Sequence, residues 1–236
     1  ALRLAPMFAL AHGYRRGAGV AALVAWHGSV APIALGLGLG IPALAVAGGA
    51  LLLGSCALAL AFTLDVAHHR RRRPEAPLVH LVLGLASAAL ATGLMLGAWA
   101  GAGDPYRAAV PAAILAVVGL GAGVTSGHLF KVLPMLVWTG RFARLAGTPG
   151  APRLSDLYPA PLASAEQASF AAGLVLLTAG TCFGWELVAR GGALLLLVAA
   201  LAVAGAAVIC VLRPGPRAAG PAAHQSSVHA SIGGTP

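Results

Sequence analysis

The sequence predicts an all-α protein: a polytopic transmembrane helical bundle with six full spans and a truncated N-terminal span. Three observations carry this. Hydrophobic residues make up 59% of the 236 positions and charged residues only 9%, where soluble domains carry roughly 25% charged residues. Apolar segments of about 20 residues, the length that crosses the hydrocarbon core, recur along the chain. The basic residues gather in alternate connections, as cytoplasmic loops do. Helices are required because an open sheet would leave backbone groups unpaired in lipid.

Residues 1–11 read as the end of a truncated span, because the chain opens Ala1-Leu2-Arg3-Leu4 with no initiator Met and no leader pattern. Full spans follow at 17–38, 42–64, 77–99, 109–138, 164–188 and 192–212. Residues 139–163 are rich in Pro and Gly and form the longest connection. The polar tail 213–236, which holds His224 and His229, is expected to be disordered.

Alternate connections carry Arg15 and Arg16, Arg70 to Arg73, Arg141, Arg144 and Arg153, then Arg213 and Arg217; the opposite side holds Arg107 and Arg190. This asymmetry puts the first group in the cytoplasm. It also accounts for the net charge of +9 without a nucleic-acid surface. Trp99, Trp138 and Trp185 fall at expected membrane boundaries, while Trp26 sits well inside its span. Cys56, Cys182 and Cys210 lie in separate apolar segments without metal-ligand spacing, so they read as packing residues.

The residues able to carry chemistry sit mainly in one stretch, Gly119-x-x-x-Gly123-x-x-x-Gly127-His128-Leu129-Phe130-Lys131. Glycines four apart share a helix face, with Lys131 next in the series, and such a face admits a second helix or a flat ligand. Ionisable groups in hydrocarbon are costly and face the bundle interior, a cavity or a ligand. Counting from the expected inner boundaries, His27 and His128 share one depth, about 15 Å in at 1.5 Å per residue. Two imidazoles on different helices are what bis-histidine haem b ligation needs, with Lys131 and Arg3 placed for the propionates. His80 reads as an interfacial histidine with no special task, or else as an alternative ligand or a donor to quinone. Asp65, Glu166 and Glu186 fall near expected helix ends, which disfavours a proton-coupled carrier. A faint echo joins Arg3-Leu4-Ala5-Pro6-Met7-Phe8 to Lys131-Val132-Leu133-Pro134-Met135-Leu136, the kind of internal repeat common in membrane proteins.

Two stretches resemble a known family. Gly127-His128-Leu129-Phe130-Lys131-Val132-Leu133-Pro134-Met135-Leu136-Val137-Trp138, followed by Arg141 and Leu154-Ser155-Asp156-Leu157-Tyr158-Pro159, resembles a block of bacterial haem–copper oxidase subunit I-like polytopic proteins. Leu4-Ala5-Pro6-Met7-Phe8-Ala9-Leu10-Ala11-His12-Gly13-Tyr14 resembles the end of an early helix in the same proteins. The chain departs from true oxidases: its one His-His pair, His68-His69, belongs to a basic loop, and no His-Pro-Glu-Val element exists. Copper-dependent oxygen reduction is therefore not carried over.

The resemblance implies haem-linked electron transfer or sensing, with membrane lipids, respiratory-chain subunits or quinone as partners. Two other readings stand beside it: a non-catalytic scaffold or assembly factor, and a transporter for an anionic or uncharged solute. No catalytic residue is assigned.

Overall fold

The computed structural model describes residues 11–70, 76–148 and 151–214. Arg3, most of the truncated first span and nearly all of the C-terminal tail lie outside the described residues. Six helices are long and apolar enough to cross a membrane: α1 (Arg16–Gly38), α2 (Pro42–His68), α3 (Ala76–Ala102), α4 (Pro105–Arg141), α5 (Ala160–Phe183) and α6 (Glu186–Leu212). Among the described residues there is no strand. The protein is an all-α, multi-pass membrane bundle.

The helices pack as a chain of neighbours: α1 on α2, α2 on α3, α3 on α4, and α5 on α6, with α4 touching both of the last two. Small residues set the closest approaches. At Gly36 an added Cβ would strike the backbone of Ala45, and at Gly192 it would strike the backbone of Leu177. Small residues allow this in lipid, where dispersion between closely approaching backbones replaces the hydrophobic drive.

The α1–α2 and α5–α6 hairpins share one construction. Ile41 N–H donates to Gly36 O and Trp185 N–H to Gly180 O, both at 2.8 Å. Gly40 and Gly184 occupy the same place in the two turns with φ of 65° and 70°, a left-handed backbone natural to glycine. Ala45 and Gly48 in α2 then match Ala189 and Gly192 in α6 as the closest contacts on the preceding helix. The sequence boundary at 188–192 is therefore corrected. Gly191 and Gly192 do not break the helix; Gly192 is where α5 packs, and the turn lies at Gly184. Arg190 sits within α6 and bonds Glu186 Oε1 at 2.6 Å.

Helix α4 is longer than its expected span. Asp104 caps it by accepting from Tyr106 N–H at 2.9 Å, and Pro105 follows in the first turn. It changes to π geometry over Ile114–Ala122 and returns to α over Gly123–Arg141. Its 37 residues reach about 55 Å at 1.5 Å per residue, far beyond a hydrocarbon core of roughly 30 Å. Its last turns therefore project past the start of α3.

The basic ends gather on one side. Arg15 N–H donates to Asp65 Oδ2 at 2.7 Å, joining the start of α1 to the end of α2. Arg141 Nη1 donates to the carbonyls of Val211 and Arg213 at 2.6 and 2.7 Å, tying α4 to the end of α6. Phe142, Leu157 and Cys210 form a small core beneath the 139–159 connection, and Trp138 Nε1 donates to Pro152 O at 2.8 Å.

Gly192→Leu should lower the melting temperature in detergent markedly, because the new side chain meets backbone, which cannot rotate away. Overpacking of this kind costs about 1–3 kcal/mol or more. Gly17→Leu, at a position with nothing within 4 Å, should melt like the parent protein.

Candidate functional site

Three helices bring a histidine, a carboxylate and a hydroxyl together inside the bundle. His80 stands on the second turn of α3, Ser126 in α4 and Glu166 on the second turn of α5. His80 Nε2 lies 2.9 Å from Glu166 Oε2, and both side chains are 1% exposed. Ser126 Oγ donates to the other oxygen, Glu166 Oε1, at 2.6 Å. The Phe170 ring closes the side of the imidazole at 5.3 Å between centroids, in an edge arrangement.

The glycine face of α4 makes this possible. Gly119 packs against Ser87 and Leu174, Gly123 against Phe170, and Gly127 against His80. A Cβ at Gly127 would come within 2.6 Å of His80 Cβ, so only glycine lets the imidazole pass beside α4. The expectation of close approach along this face is met by α3 and α5.

Counting protons exposes a conflict. His80 Nδ1 is buried and has no hydrogen-bond partner. With one proton on the pair, Nε2–H donates to an ionised Glu166 and Nδ1 is a bare acceptor, but a net negative charge is buried. With two protons the pair is neutral overall; Nδ1–H is then a buried donor without an acceptor if the imidazole carries both protons, and Nδ1 stays a bare acceptor if the second proton sits on the Glu166 oxygen facing Ser126. Each state carries a penalty, several kcal/mol for an uncompensated charge and about 1–3 kcal/mol for an unmade bond.

One helical turn toward the basic end lies a cleft of about 430 Å³, bounded by the start of α3, by Phe130, Lys131 and Pro134 of α4, and by Arg153, Ser155 and Tyr158 of the following connection. The Tyr158 ring leans on Phe130 at 5.4 Å. Lys131 follows Gly127 by one turn on the same face, as Ala76 precedes His80 by one turn on α3.

The sequence-derived site residues are dispersed otherwise. His27 is exposed on α1, and its Nδ1–H donates to Leu23 O at 2.8 Å. His128 is half-buried on α4 and bonds Val124 O in the same way at 2.8 Å. Helix α1 packs on α2 and has no comparable packing against α4, so α2 and α3 intervene between the two rings. They also differ in depth. His128 adjoins Gly127, which packs beside His80 on the second turn of α3, whereas His27 lies three turns into α1. His27 and His128 thus stand on helices with no comparable packing between them. Lys131 stands at the cleft, Arg3 is outside the described residues, and His80 proves to be the buried member.

Glu166 and Ser126 were missed. With the span taken to begin at 164, Glu166 read as interfacial; the helix begins at Ala160 and carries it inside. Its signal was Glu166, Phe170 and Gly173, spaced as one buried stripe. Among the described residues, no group of three or more His, Cys, Asp or Glu side chains is placed to hold a metal ion. Comparisons with protein-family models, curated proteins and solved structures give no match.

Ser126→Ala should lower thermal stability by about 1–3 kcal/mol by leaving Glu166 Oε1 unpaired in the interior. His128→Ala should change it by less than about 1 kcal/mol. In protein purified from haem-supplied cells, His27→Ala should leave any Soret absorption unaltered; its loss would restore His27 as a ligand.

Proposed function

We propose that the chain is a multi-pass component of the bacterial inner membrane that takes up and releases a proton inside its bundle, working with respiratory membrane machinery. One observation carries the reading: His80 and Glu166 form an ionisable pair buried between three helices, with His80 Nδ1 left without a hydrogen-bond partner. Ionisable residues held this way in membranes serve proton relays and substrate pathways. The sequence-based objection to proton coupling is that no carboxylate occupies the membrane centre; Glu166 does stand near the end of its helix, but it is buried against His80 and Ser126.

The respiratory part of the proposal draws on the block that resembles oxidase subunit I-like proteins. That block borders the site: Gly127 is the contact for His80, and Lys131 with Tyr158 borders the cleft. Copper chemistry has no place in it. His68 ends α2, and His69 Nδ1–H donates to Asp65 O at 2.9 Å at the basic end. The orientation rests on the same positive end, which belongs in the cytoplasm.

Proton movement tests the proposal directly. Proteoliposomes holding a pH-sensitive dye and subjected to a potassium–valinomycin potential should acidify faster than empty vesicles. Glu166→Gln, which keeps size and hydrogen bonding but cannot ionise, should reduce that rate about tenfold or more, as should His80→Ala. A parent rate equal to that of empty vesicles, or a Glu166→Gln rate equal to the parent's, would overturn the reading. Cysteine labelling of intact cells should reach position 103 and not position 150; the reverse would invert the orientation.

A further inference from the structure

We propose that, in the state the structure holds, the His80–Glu166 pair exchanges its proton with the basic end alone, through the cleft one turn away and past a floor made by Pro77 and Phe130. The inference rests on the proton reading above and adds the side of access. The cleft of about 430 Å³ has exposed Arg153, Leu154 and Ser155 at its mouth and buried Pro77, Phe130 and Pro134 at its floor. His80 follows Pro77 by three residues on α3. Gly127, which touches His80, precedes Phe130 by three residues on α4. Floor and imidazole are thus one turn apart on both helices, roughly 5 Å along the axis.

The rim of the cleft suits water. Asp156 accepts from Ser155 Oγ at 3.2 Å and from Arg153 N–H at 3.1 Å, so both signs of charge stand at the mouth and neither selects an ion. The space holds on the order of ten waters at about 30 Å³ each. Behind the floor, His80 Nδ1 is buried without a partner, and it is the group that a water crossing the floor would bond. Toward the other end the way is dry. Phe170, beside the imidazole, belongs to an apolar core with Leu174, Leu115 and Ala112. That core reaches about three turns from Gly127 toward the start of α4. A proton leaving that way would give up water over the whole distance, whereas the cleft requires it to pass one ring and one proline.

Thiol labelling combined with the proton assay tests the route. The background is Cys182→Ser, which removes the exposed native cysteine, and the reagent is a membrane-impermeant methanethiosulfonate bearing trimethylammonium. Ala76→Cys, at the cleft, should react in inside-out vesicles and not in right-side-out ones. Leu115→Cys, in the far core, should react in neither. Modification of Ala76→Cys should slow proton movement roughly fivefold, the repulsion of a fixed cation in a water-filled route. Phe130→Ala should instead raise the rate about twofold or more by admitting water to the imidazole. Reaction of Leu115→Cys from the outer side would overturn the one-sided access, and a folded Phe130→Ala no faster than the parent would overturn the floor. A parent that moves no proton overturns the proton reading and this inference with it. A parent that moves protons at a rate indifferent to modified Ala76→Cys overturns this inference alone.

Discussion

A carboxylate inside a bilayer needs partners on every side, and Glu166 obliges three helices to supply them. One oxygen meets His80 of α3, the other meets Ser126 of α4, and the acid itself rides on α5. Breaking such a pair leaves a buried charge and costs about 3–5 kcal/mol, whereas an apolar replacement of the whole cluster can be neutral. The cluster is therefore poor evidence of stability for its own sake. It is good evidence that the register of α3, α4 and α5 is fixed, because a shift of one residue in any of them separates donors from acceptors.

The sequence disclosed the fold through quantities that lipid makes unambiguous: span length, charge asymmetry and the small-residue face of α4. It disclosed the site poorly, for a physical reason. Depth was counted from Trp138 as though α4 ended at the interface, but the helix runs to Arg141 and overshoots. The contact with His80 belongs to Gly127, the residue before His128. The turn at Gly184 was missed because Arg190-Gly191-Gly192 looked like a break; in a membrane bundle, paired glycines mark a contact as readily as a turn. Glu166 was legible only with the correct start of α5, and an error of four residues is a full turn.

The two hairpins repeat one construction, apart from the sequence echo, whose residues 3–8 lie outside the described residues. Gly36, Gly40, Ala45 and Gly48 have counterparts in Gly180, Gly184, Ala189 and Gly192 with matching hydrogen bonds and contacts. In the same correspondence, Ala22 of α1 stands where Glu166 stands in α5, and both are buried. Ser55 occupies the place of Ala199, and its hydroxyl donates to Ala22 O at 2.8 Å. One construction thus carries a neutral contact in one hairpin and an ionisable one in the other. Backbone geometry is shared, and a single side-chain position separates scaffold from chemistry.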